Sequence, residues 1–92
     1  MFINSILRMS SKKIYADLTN RYAGAGWHFE KRGKYEAALK FYILALKHSI
    51  VAYGANSINA SMHHERIAHC YDKLDNTQKK MEHLRQSQFS KK

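Results

Sequence analysis

Ninety-two residues make one domain and no more, and a chain that is 45% hydrophobic and 12% aromatic is too apolar to be disordered. The absence of proline and the scarcity of alternating β-branched runs point to an all-α fold and away from β structure. A net charge of +9 suits an acidic protein, nucleic acid or anionic lipid as partner, although the sixteen Lys and Arg are scattered from Arg8 to Lys92 and form no single block.

In chain order, residues 1–18 read as an N-terminal segment. The stretch from Met1 to Lys13 contains no acid and mixes apolar, small polar and basic side chains, as mitochondrial targeting segments do. A short amphipathic helix is expected over 3–16, with Ile3, Ile6, Leu7 and Ile14 on adjacent turns. This segment is expected to address the chain to the mitochondrion or to dock it on another subunit. The helical domain is expected to fill 19–92. Its first helix runs from Asn20 to Lys31, with Tyr22, Ala25, Gly26 and Phe29 on one face and Arg21, His28 and Glu30 away from it. Gly33, in Arg32-Gly33-Lys34, supplies the left-handed residue that ends it.

Tyr35 to Tyr53 is the strongest element, with Tyr35, Ala38, Leu39, Tyr42, Ala45, Leu46 and Ile50 at helical spacing. Phe41, Ile43 and Leu44 widen the apolar arc, so the helix is expected to be the most buried one and to lie between two others. A loop follows over Gly54–Ser57, with Asn56 or Ser57 capping the next helix. That helix reaches about Leu74, with Met62, Ile67, Cys70, Tyr71 and Leu74 as its inner face. Asp75-Asn76-Thr77 forms a turn and cap. A last helix over Thr77–Ser87 rests on Met81, Leu84 and Gln88, and the tail from Phe89 frays.

The longest unbroken apolar run, Phe41 to Leu46, is six residues, against the ~20 needed to cross a bilayer. No transmembrane segment is expected. The single Cys70 excludes an internal disulfide and fits a reducing, intracellular compartment.

Self-similarity is the strongest signal. Tyr22-x2-Ala25-Gly26-x2-Phe29 followed by Ala38-x3-Tyr42 resembles the tetratricopeptide repeat, whose pattern is W-x2-L-G-x2-Y and then A-x3-F. A weaker copy lies 42 residues on, in His64-x2-Ile67-Ala68-x2-Tyr71 and then Lys80-x3-Leu84. The ordinary period is ~34, and the longer one resembles the repeats of kinesin light chains. Three residues depart from the pattern: Ile50 where proline is frequent, Lys80 where a small residue is expected, and Ser87 where alanine is. Gly33-Lys34-Tyr35-Glu36-Ala37-Ala38-Leu39-Lys40-Phe41-Tyr42 also resembles the three-helix MIT domain of endosomal-sorting proteins, an alternative that the second copy disfavours. The repeat resemblance implies about four antiparallel helices in helix-turn-helix pairs, beside the short N-terminal one.

No catalytic, cofactor or metal site is expected. In His63-His64-Glu65-Arg66-Ile67-Ala68-His69-Cys70, His64 and His69 are five apart, about 140° around a helix, whereas the zinc-protease motif places its histidines four apart on one face. Glu65 and His69 have the spacing of a surface pair. Cys70 reads as a core residue beside Tyr71. The glycines form no phosphate loop, because Tyr35 follows Gly33-Lys34.

The expected function is therefore that of a non-enzymatic protein-interaction or scaffold subunit. The tetratricopeptide resemblance implies a concave face that holds a partner, with Asn20, Arg21, Lys31, His63, His64 and Arg66 near its lip as candidate contacts. Barely two repeats leave the ends of the stack open, so a larger complex is expected. The alternative is a basic subunit contacting RNA or anionic lipid through Arg8, Lys12, Lys13, Lys79, Lys80, Arg85, Lys91 and Lys92.

Overall fold

Two glycines in the left-handed region set the chain's reversals: Gly33 with φ 77° and Gly54 with φ 97°. Around the first, Gly33 N–H donates to Glu30 C=O (2.9 Å) and Lys34 N–H to Phe29 C=O (3.0 Å), the bond pair that closes a helix on a left-handed residue. After the second, Ser57 Oγ accepts from Ala60 N–H at 3.0 Å and caps the next helix, so Ser57, and not Asn56, is the cap.

A computed structural model describes the backbone of residues 2–74 and 77–90 and the side chains of 11–74 and 79–88. The described residues form four helices and no strand: α1 (Phe2–Lys31), α2 (Tyr35–Tyr53), α3 (Ile58–Lys73) and α4 (Thr77–Ser90). The fold is all-α. The expected side chains of Ile3, Ile6 and Leu7, the turn residues Asp75 and Asn76, and residues 91–92 of the expected tail lie outside the described residues, while Phe89 and Ser90, expected to fray, continue α4.

The separate N-terminal helix is a correction, because α1 runs unbroken through residues 16–20. No glycine or proline occurs before Gly24 to interrupt it. Thr19, a residue type that would cap a new helix, instead donates its Oγ1 proton to Tyr15 C=O at 2.8 Å, inside the helix already formed. At 30 residues α1 outruns the 19 of α2, by ~15 Å at 1.5 Å per residue. Lys12 lies over the ring of Tyr53 at 5.9 Å, so the turns of α1 before Lys12 pass beyond the end of α2.

α2 packs on α1 along one side and on α3 along another, and α4 closes on α3. The core joins Ala38, Tyr42 and Leu46 of α2 to Ala60, Ile67 and Cys70 of α3, with Phe29, Tyr35, Leu39, Ile43 and Tyr71 packed around them. Burial is thus shared: α3 contributes Ala60, Ser61, His63, His64, Ile67, Ala68 and Cys70, which makes it as deeply packed as α2. At 100° per residue these positions sweep about half the circumference. Met62 falls on the other half and is 44% exposed, so its placement on the inner face was an error of phase.

Contacts recur at the 42-residue offset. The Tyr22–Phe41 stack (6.3 Å between centroids) has its counterpart in His64–His83 (4.9 Å), and Phe29–Phe41 (5.5 Å) in Tyr71–His83 (5.9 Å). Buried Thr19 and Ala45 correspond to Ser61 and Ser87, whose hydroxyls meet at 2.9 Å. The three unusual residues acquire physical reasons. Ile50 lies inside α2 and keeps the backbone N–H that proline lacks; Lys80 pairs with Asp72 across the α3–α4 turn (2.9 Å); and Ser87 also donates to Glu65 (3.0 Å).

Gly26 is buried where α1 crosses α2, and a Cβ there would stand 2.7 Å from two ring carbons of Tyr42. Tyr42 is fully buried and has nowhere to retreat. Gly26→Leu should therefore lower stability by ~1–3 kcal/mol, measured by urea unfolding. A neutral result would contradict this crossing.

Candidate functional site: a groove between α1 and α3

Positions 62, 65, 66 and 69 of α3 share the helix face turned away from the core, and Ala23, Gly24, Trp27 and Glu30 line α1 opposite. Between them lies an open groove. One end is lined by Glu30, Met62, Glu65, Arg66 and His69, the other by Ala23, Gly24, Trp27 and Arg66, so Arg66 belongs to both. Gly24 has open space where a side chain would be, which keeps the α1 wall low.

A polar network fixes the floor. Tyr42 donates its hydroxyl proton to Glu30 Oε1 at 2.5 Å, and Arg66 Nη1 donates to the same hydroxyl oxygen at 3.5 Å. The Arg66 guanidinium also sits 5.6 Å from the Tyr42 ring centroid. The second Glu30 oxygen lies 3.3 Å from His69 Nε2. Burial, followed by the hydrogen bond to the Glu30 carboxylate, pushes the Tyr42 phenol well above its ordinary range, so it stays a donor. His69 is thus joined to Glu30 of α1, and Glu65 accepts from Ser87 of α4.

Apolar side chains of the groove are exposed: Trp27 is 51% exposed and Met62 44%. Lys31 Nζ lies over the Trp27 ring at 4.3 Å. Half-exposed aromatic and thioether side chains beside a guanidinium can bury apolar groups and pair with a carboxylate of a bound chain.

The sequence-derived contacts divide. Asn20, Arg21 and Lys31 are exposed on α1, with Lys31 at the rim, and Arg66 lies in the groove itself. His63 and His64 are 6% and 8% exposed and sit inside the molecule instead of at a lip. Their positions fall on the half of α3 that meets the core and α4, where His64 Nδ1 lies 2.7 Å from His83 Nδ1. Burial, and then the Arg66 charge, lowers the pKa of His63. Trp27, Glu30 and His69 were not singled out as contacts. Trp27 carried a signal, being the only tryptophan and standing off the Tyr22–Ala25–Gly26–Phe29 face.

Among the described residues no group of three or more His, Cys, Asp or Glu is placed to hold a metal ion, and no helix is long and apolar enough to cross a membrane. No family model matches the chain, and neither a curated protein nor a solved structure shows significant similarity to it.

Cys70 lies under this floor, fully buried, and burial followed by the Glu30 charge pushes its thiol up to about 12. The native protein should therefore leave a thiol-specific disulfide reagent unreacted at pH 8, and should consume one equivalent once unfolded in guanidinium. Rapid reaction of the native protein would show that α3 opens readily from α2.

Proposed function

We propose that this chain is a non-enzymatic protein-interaction subunit of tetratricopeptide type, holding a segment of a partner protein in the groove between α1 and α3. The observation that carries the reading is the half-exposed Trp27 facing Arg66 across that open groove. A tryptophan is costly to leave in water, and Trp and Arg are the side chains that most often dominate interfaces. Asn20, Arg21 and Lys31 extend the basic wall along α1, and the net charge of +9 favours an acidic partner. The recurrence of Tyr22, Phe29 and Phe41 as His64, Tyr71 and His83 supports repeats over the MIT alternative, as does a fourth helix beyond the three of that domain.

Affinity purification of the tagged chain from its native cell tests the reading. The expected result is a protein partner retained after nuclease treatment and reduced at least tenfold by Trp27→Ala, or by Arg66→Ala as a second variant. Recovery unaffected by both substitutions would exclude the groove. A partner lost on nuclease treatment would favour the second reading, RNA contact through a basic surface that includes the exposed Lys12, Lys13 and Arg85.

The location proposed is the mitochondrion, supported by the acid-free composition before Asp17. Residues 1–20 fused to a fluorescent reporter should carry it there, and a reporter left diffuse in the cytosol would reject the assignment.

A further inference from the structure

The two helical hairpins are joined by different chemistry at equivalent positions. α1 meets α2 through Tyr22 and Phe29 stacked on Phe41. Where α3 meets α4, the corresponding rings are His64, Tyr71 and His83, and the contact between the two histidines is a hydrogen bond, Nδ1 to Nδ1 at 2.7 Å. One nitrogen must donate and the other must offer a lone pair. The neutral pair already holds one proton between the two Nδ1 atoms, so a first added proton has to enter at Nε2 of the donor ring, and burial opposes the charge it brings. A second proton leaves two N–H groups and two positive charges face to face, and the bond cannot survive it.

We propose that α4 is released from α3 by acid through the His64–His83 pair, while the α1–α2 hairpin and its junction with α3 stay closed. The inference does not depend on what the groove holds. Burial, with the neighbouring charges of His83 and His63, lowers His64 to about 4, and burial lowers His83 as well, against the opposing pull of Glu82. The ionisable groups facing the pair are His63 and Tyr71 on α3, and Lys79 and Glu82 on α4, where these two form an ion pair at 3.8 Å. Other α3–α4 bonds among the described residues are polar too: Ser61 with Ser87, Ser87 with Glu65, and Asp72 with Lys80. Of the described apolar side chains of α4, Leu84 is half-buried and Met81 is 54% exposed.

The direction follows from linkage. Docked, the histidines resist protonation; released, they titrate near their ordinary 6.5. Docking is therefore at full strength above pH ~6.5 and weakens as pH falls toward 4, by roughly tenfold per pH unit for each histidine kept neutral.

Amide hydrogen exchange on the whole chain, corrected for intrinsic rates, tests this between pH 7.5 and 4.5. Protection within 79–88 should fall tenfold or more between pH 6.5 and 5, with protection in α1 and α2 unchanged. The double substitution His64→Tyr with His83→Phe, which copies Tyr22 and Phe41, should abolish the pH dependence. If that variant does not fold, His64→Gln, an amide that bonds without titrating, should at least halve the logarithmic change. Protection of α4 that is independent of pH, lost in step with α1 and α2, or lost equally in the folded variants would overturn the proposal.

Discussion

Tyr42 resting on the bare backbone of Gly26 is the contact on which the rest of the molecule depends. Absence of a side chain at 26 lets α1 and α2 approach until the Tyr42 ring is wholly covered, and that depth places its hydroxyl against Glu30 of α1 and Arg66 of α3. One side chain thus ties three helices. A larger residue at 26 would push the ring aside, and with it the hydroxyl that positions the groove floor. Packing and site are therefore one arrangement: a close helix crossing made of carbon contacts, ending in a charged group that faces outward.

Beyond that crossing, the molecule uses one set of positions twice with different side chains. In the first hairpin, phenyl and phenol rings stack on one another, with the His48 imidazole packed against Tyr15 and Tyr22. In the second, imidazoles and hydroxyls occupy the equivalent positions, and Ser61, His64 and Glu65 of α3 find partners in Ser87 and His83 of α4. Directional bonds specify register well but yield when protonation changes. The first hairpin is accordingly the durable half and the second the conditional one, and the boundary between them is α3, buried on both sides.

The groove owes its character to what packing leaves over. Once α3 has committed half its circumference to α2 and α4, the residues at 62, 66 and 69 face α1 across the groove, where Arg66 meets Tyr42 and His69 meets Glu30, and Trp27 is a large residue that α1 leaves half-exposed. Met62, placed in the core by its hydrophobicity, is at the rim; His63 and His64, placed at the rim by their polarity, are in the core. Both reversals have one cause. Residue type alone set the phase of α3, whereas the true phase comes from Ala60, Ile67 and Ala68, small or branched residues that admit close neighbours.

Read by itself, the chain determined the helices at 35–53 and 58–73 and the reversals at Gly33 and Gly54, because periodicity and left-handed glycine act within a few residues of chain. Tertiary structure alone decided that Glu30 reaches Tyr42 and His69, that Glu65 accepts from Ser87, and that His64 meets His83. Each of these pairings joins residues more than ten positions apart. Local spacing ranks only neighbours on one helix, and a buried charge or imidazole takes whichever partner another helix brings to it.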